Sequence, residues 1–572
     1  MLAVLALLVA GAAPEGAQSG YEERLISWGL DQHPGRELEP RPEGLIVEEV
    51  LIAAEDVFAP SDPWPNLLNI FHVRTREGVI RREVLLEVGE RFTAVRVEET
   101  ERVLRRLFIF AVAKIIPVKG RDGGVALLVV TKDRWSLRLN SEFSLVGNLL
   151  QLLRLQPTEQ NFLGRNQQVT IDFLLRLDTL SISQLFIERR LFGSRLSVAE
   201  TAGVIVNRQT GKLEGTAGQL VFGKPLTSLG QQWAFSVEGA WNYRTRRIFC
   251  GARVCTVKSE DKATKVPLSY DVRNFNAAVD VTRSFGAAWK TDVTAALGGY
   301  SVRYGAPEGS ALDAAQLALL DDEVLPRSED ATYVLARFRF FKADFRVLKN
   351  IDTFQLSEDY QVGPLVQGGV RWAIPTFTKS HFVELGAAVR YRWMSSNENV
   401  FTATVAGAVR LVPGGPVVNR RFAAEVVNVS PPFEGGRLVT RLVYDVKKDD
   451  LDNRVVLLGG GNGLRGAPAE LLAGKNLLLA NVEYRTRAFE LSTIFVGFVL
   501  FYDAGSAFDG TVNVTHTVGI GLRILLPQFN QETIRIDFGY VLGGDNNNAV
   551  DRFSATFGQV TDIRPAFLDD PI

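Results

Sequence analysis

The chain has 572 residues, more than one ordinary globular core needs, so we expect several domains or one very large barrel. Its 64 Lys and Arg residues balance 65 Asp and Glu residues. The formal net charge of -1 argues against a nucleic-acid-binding protein, which would carry a basic excess. A hydrophobic content of 46% excludes extended disorder, and with only four His and two Cys residues we expect no metal site and no cofactor.

The first residues have the pattern of an export signal. Leu2 to Val9 is an unbroken apolar run, and the small residues Ala10 to Ala13 follow it before Pro14. This pattern predicts a secretory signal peptide over residues 1–19, the alternative being a short buried strand or helix. No later stretch approaches the roughly 20 apolar residues of a membrane-spanning helix.

Cys250 and Cys255 are the only two cysteines, and they lie five positions apart in a polar, basic stretch. In an oxidising compartment the simplest interpretation is a local disulfide that closes a loop. A metal site would need further ligands, and no His lies nearby.

Residues 20–44 are polar, contain three prolines and show little periodicity, so they are predicted to be a linker. Residues 45–134 have a mixed α+β pattern. The predicted order is strand, helix, helix, strand, strand. Strand-like segments are Ile46–Ile52, Leu68–Val73, Val112–Lys119 and Val125–Lys132; helices are predicted over Arg76–Val88 and after Thr93.

From residue 135 to residue 560, period-two alternation replaces helical periodicity. In the run around Trp233, Phe235 and Val237, large apolar residues alternate with small or polar ones, as they do in runs near 383, 478 and 534. Runs of about nine to eleven such residues fit an antiparallel transmembrane β-barrel, and the chain length suggests about sixteen strands. A soluble antiparallel sheet is the alternative. Ala306 to Ala331 is predicted to be a surface loop, and residues 561–572 a C-terminal tail.

Several segments resemble the outer-membrane assembly-factor superfamily (BamA/TamA-like), in which a POTRA domain precedes a surface-antigen-type bacterial β-barrel. Arg74–Glu83, Val88–Phe92 and Val125–Trp135 resemble a POTRA domain. Leu458–Gly466 is similar to the Arg-Gly motif of the family's sixth extracellular loop, and Phe501–Gly505 to its Phe-x-Asp-x-Gly strand motif. The resemblance implies an α+β periplasmic POTRA-like module over residues 45–134 and an outer-membrane barrel over residues 135–560.

The candidate site residues lie in these two motifs. Gly459, Gly460, Gly461 and Gly463 give the loop the freedom to fold back into the lumen before Arg465 and Gly466. An arginine inside a lumen needs an anion, and alternation places Asp503 on the lumenal face of its strand. We therefore predict that Arg465 pairs with Asp503 and locks the loop; the alternative is a solvated arginine on a mobile surface loop.

The resemblance implies assembly or translocation of proteins across the bacterial outer membrane. The expected partners are unfolded outer-membrane or secreted client proteins, outer-membrane lipids, and periplasmic or lipoprotein partners, but no nucleic acid. A passive channel or structural barrel that docks a periplasmic partner is a second hypothesis. An enzyme using lumenal carboxylates such as Glu238, Glu384 or Glu483 is a third, disfavoured because His33, His72, His381 and His516 are scattered singly.

Overall fold

The computed structural model describes residues 21–59, 66–146, 149–250, 253–378, 380–468, 471–491, 494–529, 533–543 and 553–559. The predicted signal peptide and the predicted C-terminal tail lie outside these residues. Within the described part of the chain, no helix is long and apolar enough to cross a membrane.

The N-terminal unit, called the module here, comprises residues 21–134. Its elements are α1 (Tyr21–Asp31), β1 (Val47–Glu55), a 3-10 helix (Asn66–Phe71), α2 (Glu77–Glu83), α3 (Ala94–Arg105), β2 (Phe110–Lys119) and β3 (Val125–Asp133). The sheet order is β1-β3-β2, with β1 parallel and β2 antiparallel to β3. Every residue of β3 is buried, because α2 and α3 cover one face of the sheet and α1 covers the other.

Three expectations for the module are wrong. Part of the predicted linker is α1, whose Leu25 packs on the sheet against Ala53 and Val130. The predicted strand Leu68–Val73 falls largely in the 3-10 helix, where the Asn69 side chain bonds to the backbone of Phe58 in both directions.

The predicted helix Arg76–Val88 ends early. Val84 is already extended, because the chain turns there and brings Leu86 into the core.

The remaining residues form a closed antiparallel barrel with small hairpins and one helix in its connections. Its elements in chain order are β4 (Leu137–Val146), β5 (Leu149–Glu159), β6 (Gln167–Arg176), β7 (Thr179–Glu188), β8 (Ser197–Asn207), β9 (Leu213–Lys224), β10 (Trp233–Arg247), β11 (Phe249–Cys250), β12 (Arg253–Val254), β13 (Thr256–Lys258), β14 (Lys265–Pro267), β15 (Ser269–Phe285), β16 (Trp289–Gly305), α4 (Ala314–Glu323), β17 (Glu329–Lys342), β18 (Asp344–Leu348), β19 (Glu358–Ala373), β20 (Val383–Met394), β21 (Val400–Leu411), β22 (Val417–Val429), β23 (Gly436–Lys448), β24 (Val456–Leu458), β25 (Leu472–Gly474), β26 (Asn476–Thr486), β27 (Phe489–Leu491), β28 (Ile494–Phe508), β29 (Thr515–Leu525), β30 (Ile534–Gly543) and β31 (Phe553–Gln559).

The barrel has more strands than the sixteen expected. Among the described residues the closed sheet has 22 segments, but β18 continues β17 along β19, and β27 continues β26 along β28. Twenty wall strands remain. The estimate was too low because it assumed long connections. In the structure β6 ends at Arg176 and β7 begins at Thr179, so only two residues connect these neighbouring strands.

Side-chain alternation follows the predicted faces of the wall. Trp233, Val237, Leu385, Val389, Phe498 and Leu500 are exposed on the outside of the barrel. Val499, Phe501 and Asp503, on the opposite register, are buried inside. An apolar outer face and a filled interior are what a membrane-spanning barrel requires.

The module packs against the turns at one end of the barrel, called the module end. Arg105 of α3 forms a bidentate pair with Asp359 at distances of 2.9 and 2.8 Å. Arg190, in the turn after β7, donates to Glu83 from Nε at 2.7 Å. His72 lies in this joint between Asp133 (3.0 Å) and Ser136 (3.3 Å).

The β18–β19 turn, residues 349–357, folds into the barrel interior and is called the strap here. Phe354 and Leu356 of the strap pack against Phe495 and Leu525, which lie on inward-facing registers of β28 and β29. Arg485 of β26 donates to the carbonyl of Ile351 at 2.7 Å. The strap therefore crosses from its own strands to the opposite wall, well beyond the reach of an ordinary hairpin turn.

The strap also touches the module. Ser357 donates to Glu22 of α1 at 2.6 Å, and Lys349 pairs with the same carboxylate at 3.3 Å. The strap is thus held on one side by the module and on the other by the inner wall opposite its own strands.

At the opposite end, called the far end, the connections pack together. Leu320 and Val324, in and next to α4, pack with Ile248 and Val266 of the β10–β15 connection, so the predicted surface loop Ala306–Ala331 contains a helix and the start of β17. The sulfur atoms of Cys250 and Cys255 form a disulfide beside the β11–β12 hairpin.

We predict that the double variant Cys250→Ser with Cys255→Ser loosens this hairpin and leaves the barrel intact. A disulfide that closes so short a ring contributes at the lower end of about 2–4 kcal/mol, and both cysteines lie in the connection between the wall strands β10 and β15. Limited proteolysis of the far end should become faster, while the heat resistance of the barrel in gels should not change. Mass mapping that finds both thiols free in the exported wild-type protein would contradict the assignment.

Candidate functional site

The connection between β23 and β26, residues 449–475, is called the motif loop here. Its tip is ordered by Asn462, whose Oδ1 accepts from the amide of Gly459 at 2.5 Å and whose Nδ2 donates to the carbonyl of Leu457 at 2.6 Å. Leu464 and Ala467 are fully buried, and they pack with Leu479 of the inner wall. The tip is therefore seated inside the barrel by apolar packing as well as by polar contacts.

Arg465, on this tip, contacts Asp503 of β28 through three hydrogen bonds. Its Nε lies 2.9 Å from Oδ2, its Nη2 lies 2.8 Å from Oδ1, and its backbone amide donates to Oδ2 at 3.0 Å. The guanidinium carbon lies 4.1 Å from the ring centroid of Phe501. A planar guanidinium matched to a carboxylate and stacked on a ring is a geometry that lysine cannot reproduce.

A second carboxylate, Glu483 of β26, also accepts from Arg465. Burial lowers the pKa of Arg465, but the hydrogen bonds to Asp503 and the negative charge of Glu483 more than offset it and leave that pKa above its ordinary value. Alternation predicted that Glu483 lies on the lumenal face, but its contact with Arg465 was not predicted. The sequence signal for this contact is the shared parity of Asn481 and Glu483 on β26. In the structure Asn481 donates to Asp503 at 2.8 Å.

The loop glycines differ in what they tolerate. Gly466 has a φ of +85°, and a Cβ there would lie 2.4 Å from the Cα of Gly539 on β30. Gly463 has a φ of +129° and faces Leu479, whereas Gly461 faces open space. Gly460 donates to the carbonyl of Pro468 at 3.1 Å. Gly466 is thus the position where backbone meets backbone between loop and wall.

The other candidate residues do not gather into one site. Glu384 is bound by Arg371 at 2.7 Å and Arg410 at 2.8 Å on the inner wall, and Glu238 lies on β10. The histidines are scattered singly in the sequence, but the structure brings Ser136, His72 and Asp133 together; all three are buried where the module meets the barrel, out of reach of a substrate. Among the described residues, no group of three or more His, Cys, Asp or Glu residues could hold a metal.

We predict that Arg465→Ala and Asp503→Asn each destabilise the seated loop. Removing one partner of a buried ion pair typically costs about 3–5 kcal/mol, and less where water enters the lumen. The measurement is a double-mutant cycle on the thermal unfolding of the detergent-purified protein. The losses should be strongly non-additive; strictly additive losses would show that the two residues do not interact.

We further predict that Gly466→Ala lifts the tip off the wall, because the new methyl group would overlap the backbone of Gly539 and the positive φ disfavours alanine. Gly461→Ala is the matched control, since nothing lies within 4 Å of its Cβ position. Protease cleavage between residues 459 and 468 should appear in the first variant alone. Equal resistance of the two variants would argue against close seating.

Comparison with known proteins gives a family match and several similar structures. BamA from Haemophilus ducreyi lacking POTRA domains 1–3 is 11% identical, with 97% of this chain and 96% of that chain covered and a TM-score of 0.36. CdiB from Escherichia coli is 10% identical, with 91% and 79% covered and a TM-score of 0.45. CdiB from Acinetobacter baumannii is 11% identical, with 90% and 73% covered and a TM-score of 0.41.

None of the curated proteins matches the chain. The family model that does match is the Omp85 superfamily domain, over residues 446–560. That range holds Arg465 together with Glu483, Asp503 and Gly539. This part of the chain is similar to the Omp85 superfamily domain.

Proposed function

We propose that this protein inserts or translocates client proteins at the outer membrane, and that clients engage it at the seam between β4 and β31. The match of residues 446–560 to the Omp85 superfamily domain supports an outer-membrane location and a role in protein insertion or translocation. The weak pairing of the first and last strands is the observation that carries the choice of the seam.

The seam is held by little backbone pairing. Among the described residues, β31 aligns with β4 only at Thr556 opposite Ser144 and at Phe557 opposite Phe143. By contrast, β28 and β29 stay in register from Phe495 to Gly505. Unpaired N–H and C=O groups on facing strands form a template onto which another strand can add.

The lumen is a less suitable route. The motif loop is seated in it through Arg465, the strap crosses its module end, and the module covers the turns beneath. A client passing through the lumen would first have to displace these segments, including a buried bidentate ion pair. Among the residues that the structure describes, opening the seam separates two aligned residue pairs.

The module is the proposed capture site for clients. Of the two predicted strands Val112–Lys119 and Val125–Lys132, only the first lies at an edge, because β3 is central in the sheet and β1 and β2 are the outer strands. One end of the β2 edge is already covered, because Leu38 bridges Val118 and the amide of Lys119 donates to Glu37. Strand addition is therefore proposed for the remainder of β2, and the mechanism requires no chemistry on the client.

We predict that a disulfide between Ser144→Cys and Thr556→Cys, which stand opposite one another, stops client assembly or secretion under oxidising conditions. Reduction should restore it. The matched control joins Phe498→Cys to Leu522→Cys, an aligned pair on β28 and β29 outside the seam. The assays are the yield of heat-resistant client barrels and of secreted protein in cells.

The tether also separates this proposal from the passive-channel hypothesis. Loss of client assembly in the seam tether, but not in the control, supports the seam. Unchanged assembly in both tethers, together with steady client-independent conductance in planar bilayers, would overturn the proposal in favour of a channel.

A further inference from the structure

A cavity of about 810 Å³ lies between the strap and the inner wall at the module end. The strap residues Asn350 to Gln355 line one side of it, and residues of β23, β26 and β30 line the other. Its volume lies within the range of ligand-binding clefts. The cavity opens inside the barrel, away from the lipid-facing surface of the wall.

The charges that line this cavity do not balance. Five arginines face three carboxylates, and each carboxylate already has a partner. Glu398 is bound by Arg437 at 2.7 Å, Asp352 by the hydroxyl of Tyr360, and Glu483 by Arg465 and Arg485.

Polar groups on β30 and on neighbouring β29 are left without hydrogen bonds. Nη2 of Arg523, Nε of Arg535 and Oγ1 of Thr533 are buried atoms with no hydrogen-bond partner. The Arg523 side chain is more than nine-tenths buried; its Nη1 donates to Asp537 at 2.6 Å, whereas its Nη2 lies 4.0 Å from Glu483. Nε of Arg535 lies 3.8 Å from Asp537. Buried donors of this kind are costly unless an acceptor reaches them.

We infer that this cavity binds the carboxylate of an extended peptide. Guanidinium groups match the planar fork of a carboxylate, and Thr533 supplies a further polar contact. Ile351 of the strap and Val439 of the wall provide an apolar surface for the residues beside the acidic one. A peptide fits the location better than a lipid does, because the tails of a lipid would have to leave the hydrocarbon layer for the barrel interior.

The choice of a peptide as the ligand rests on the proposed function, whereas the binding measurement does not depend on client assembly. The probe is a capped five-residue peptide with two aspartates between apolar residues, titrated by calorimetry into the full-length protein in zwitterionic detergent. The counterpart with asparagine in place of both aspartates should bind at least about tenfold more weakly, because it cannot form charged hydrogen bonds. Inorganic phosphate should compete with the acidic peptide, since it offers the same oxyanion chemistry.

Arg535→Gln is the decisive variant, because Arg535 makes no hydrogen bond to a carboxylate and its loss leaves no acid unpaired. We expect it to weaken binding of the acidic peptide about tenfold. Arg535→Lys should recover part of the affinity, since it keeps the charge but not the fork. Arg154→Gln is the control, because Arg154 pairs with Asp172 outside this cavity.

Equal binding of the acidic and neutral peptides, or an Arg535→Gln variant that binds like the wild type, would overturn the inference. Binding of phosphatidylglycerol vesicles that depends on Arg535, without peptide binding, would assign the cavity to lipid and would also overturn it. Peptide binding by a protein whose seam tether leaves assembly unchanged would overturn the proposed seam function and spare the cavity. Loss of assembly in the seam tether, together with no peptide binding, would support the seam function and overturn the inference about the cavity.

Discussion

The pairing of Arg465 with Asp503 is the constraint around which the interior of this barrel is arranged. A buried guanidinium is tolerated only where carboxylates meet it in good geometry, and here Asp503 and Glu483 do so from two neighbouring strands. That requirement fixes the register of β26 against β28 and keeps the space opposite Gly466 free of side chains. The tip of the motif loop, with Leu464 and Ala467, is thereby held inside the barrel instead of projecting from it.

The charge network continues from this pair toward the module. Glu483 also accepts from Arg485, and Arg485 donates to the carbonyl of Ile351 in the strap. The other side of the strap reaches Glu22 of α1 through Ser357 and Lys349. A continuous set of contacts therefore joins the loop that enters from the far end to the module at the opposite end. Such continuity describes a physical connection, and energetic coupling along it is a separate quantity.

Much of this architecture could be predicted from local patterns. Period-two alternation in the sequence predicted the wall strands and the inner-face position of Asp503, because side-chain direction in a strand depends only on parity. The Gly-rich tip and its arginine likewise marked the loop that needs an internal anion. Among the described residues, five wall strands follow that loop.

What local patterns missed depends on long-range packing. The strap mixes polar residues with Ile351, Phe354 and Leu356. Such a mixture does not indicate that the segment bends inward to reach β28. Similarly, α1 shows only a short apolar stripe, which becomes meaningful once the sheet is there to cover. The strand count failed because the lengths of connections, unlike parity, are not encoded in alternation.

The width of the barrel has a consequence for the cell that carries it. Barrel diameter grows with strand number, and barrels of sixteen to eighteen strands already enclose water-filled channels. A twenty-strand wall with nothing inside would leave a hole through which small solutes, detergents and antibiotics could leak. The strap and the motif loop together stand in that opening. In the proposed outer-membrane setting, any variant that dislodges either segment should let solutes permeate, so sensitivity to large antibiotics becomes a readout of how well the interior is filled.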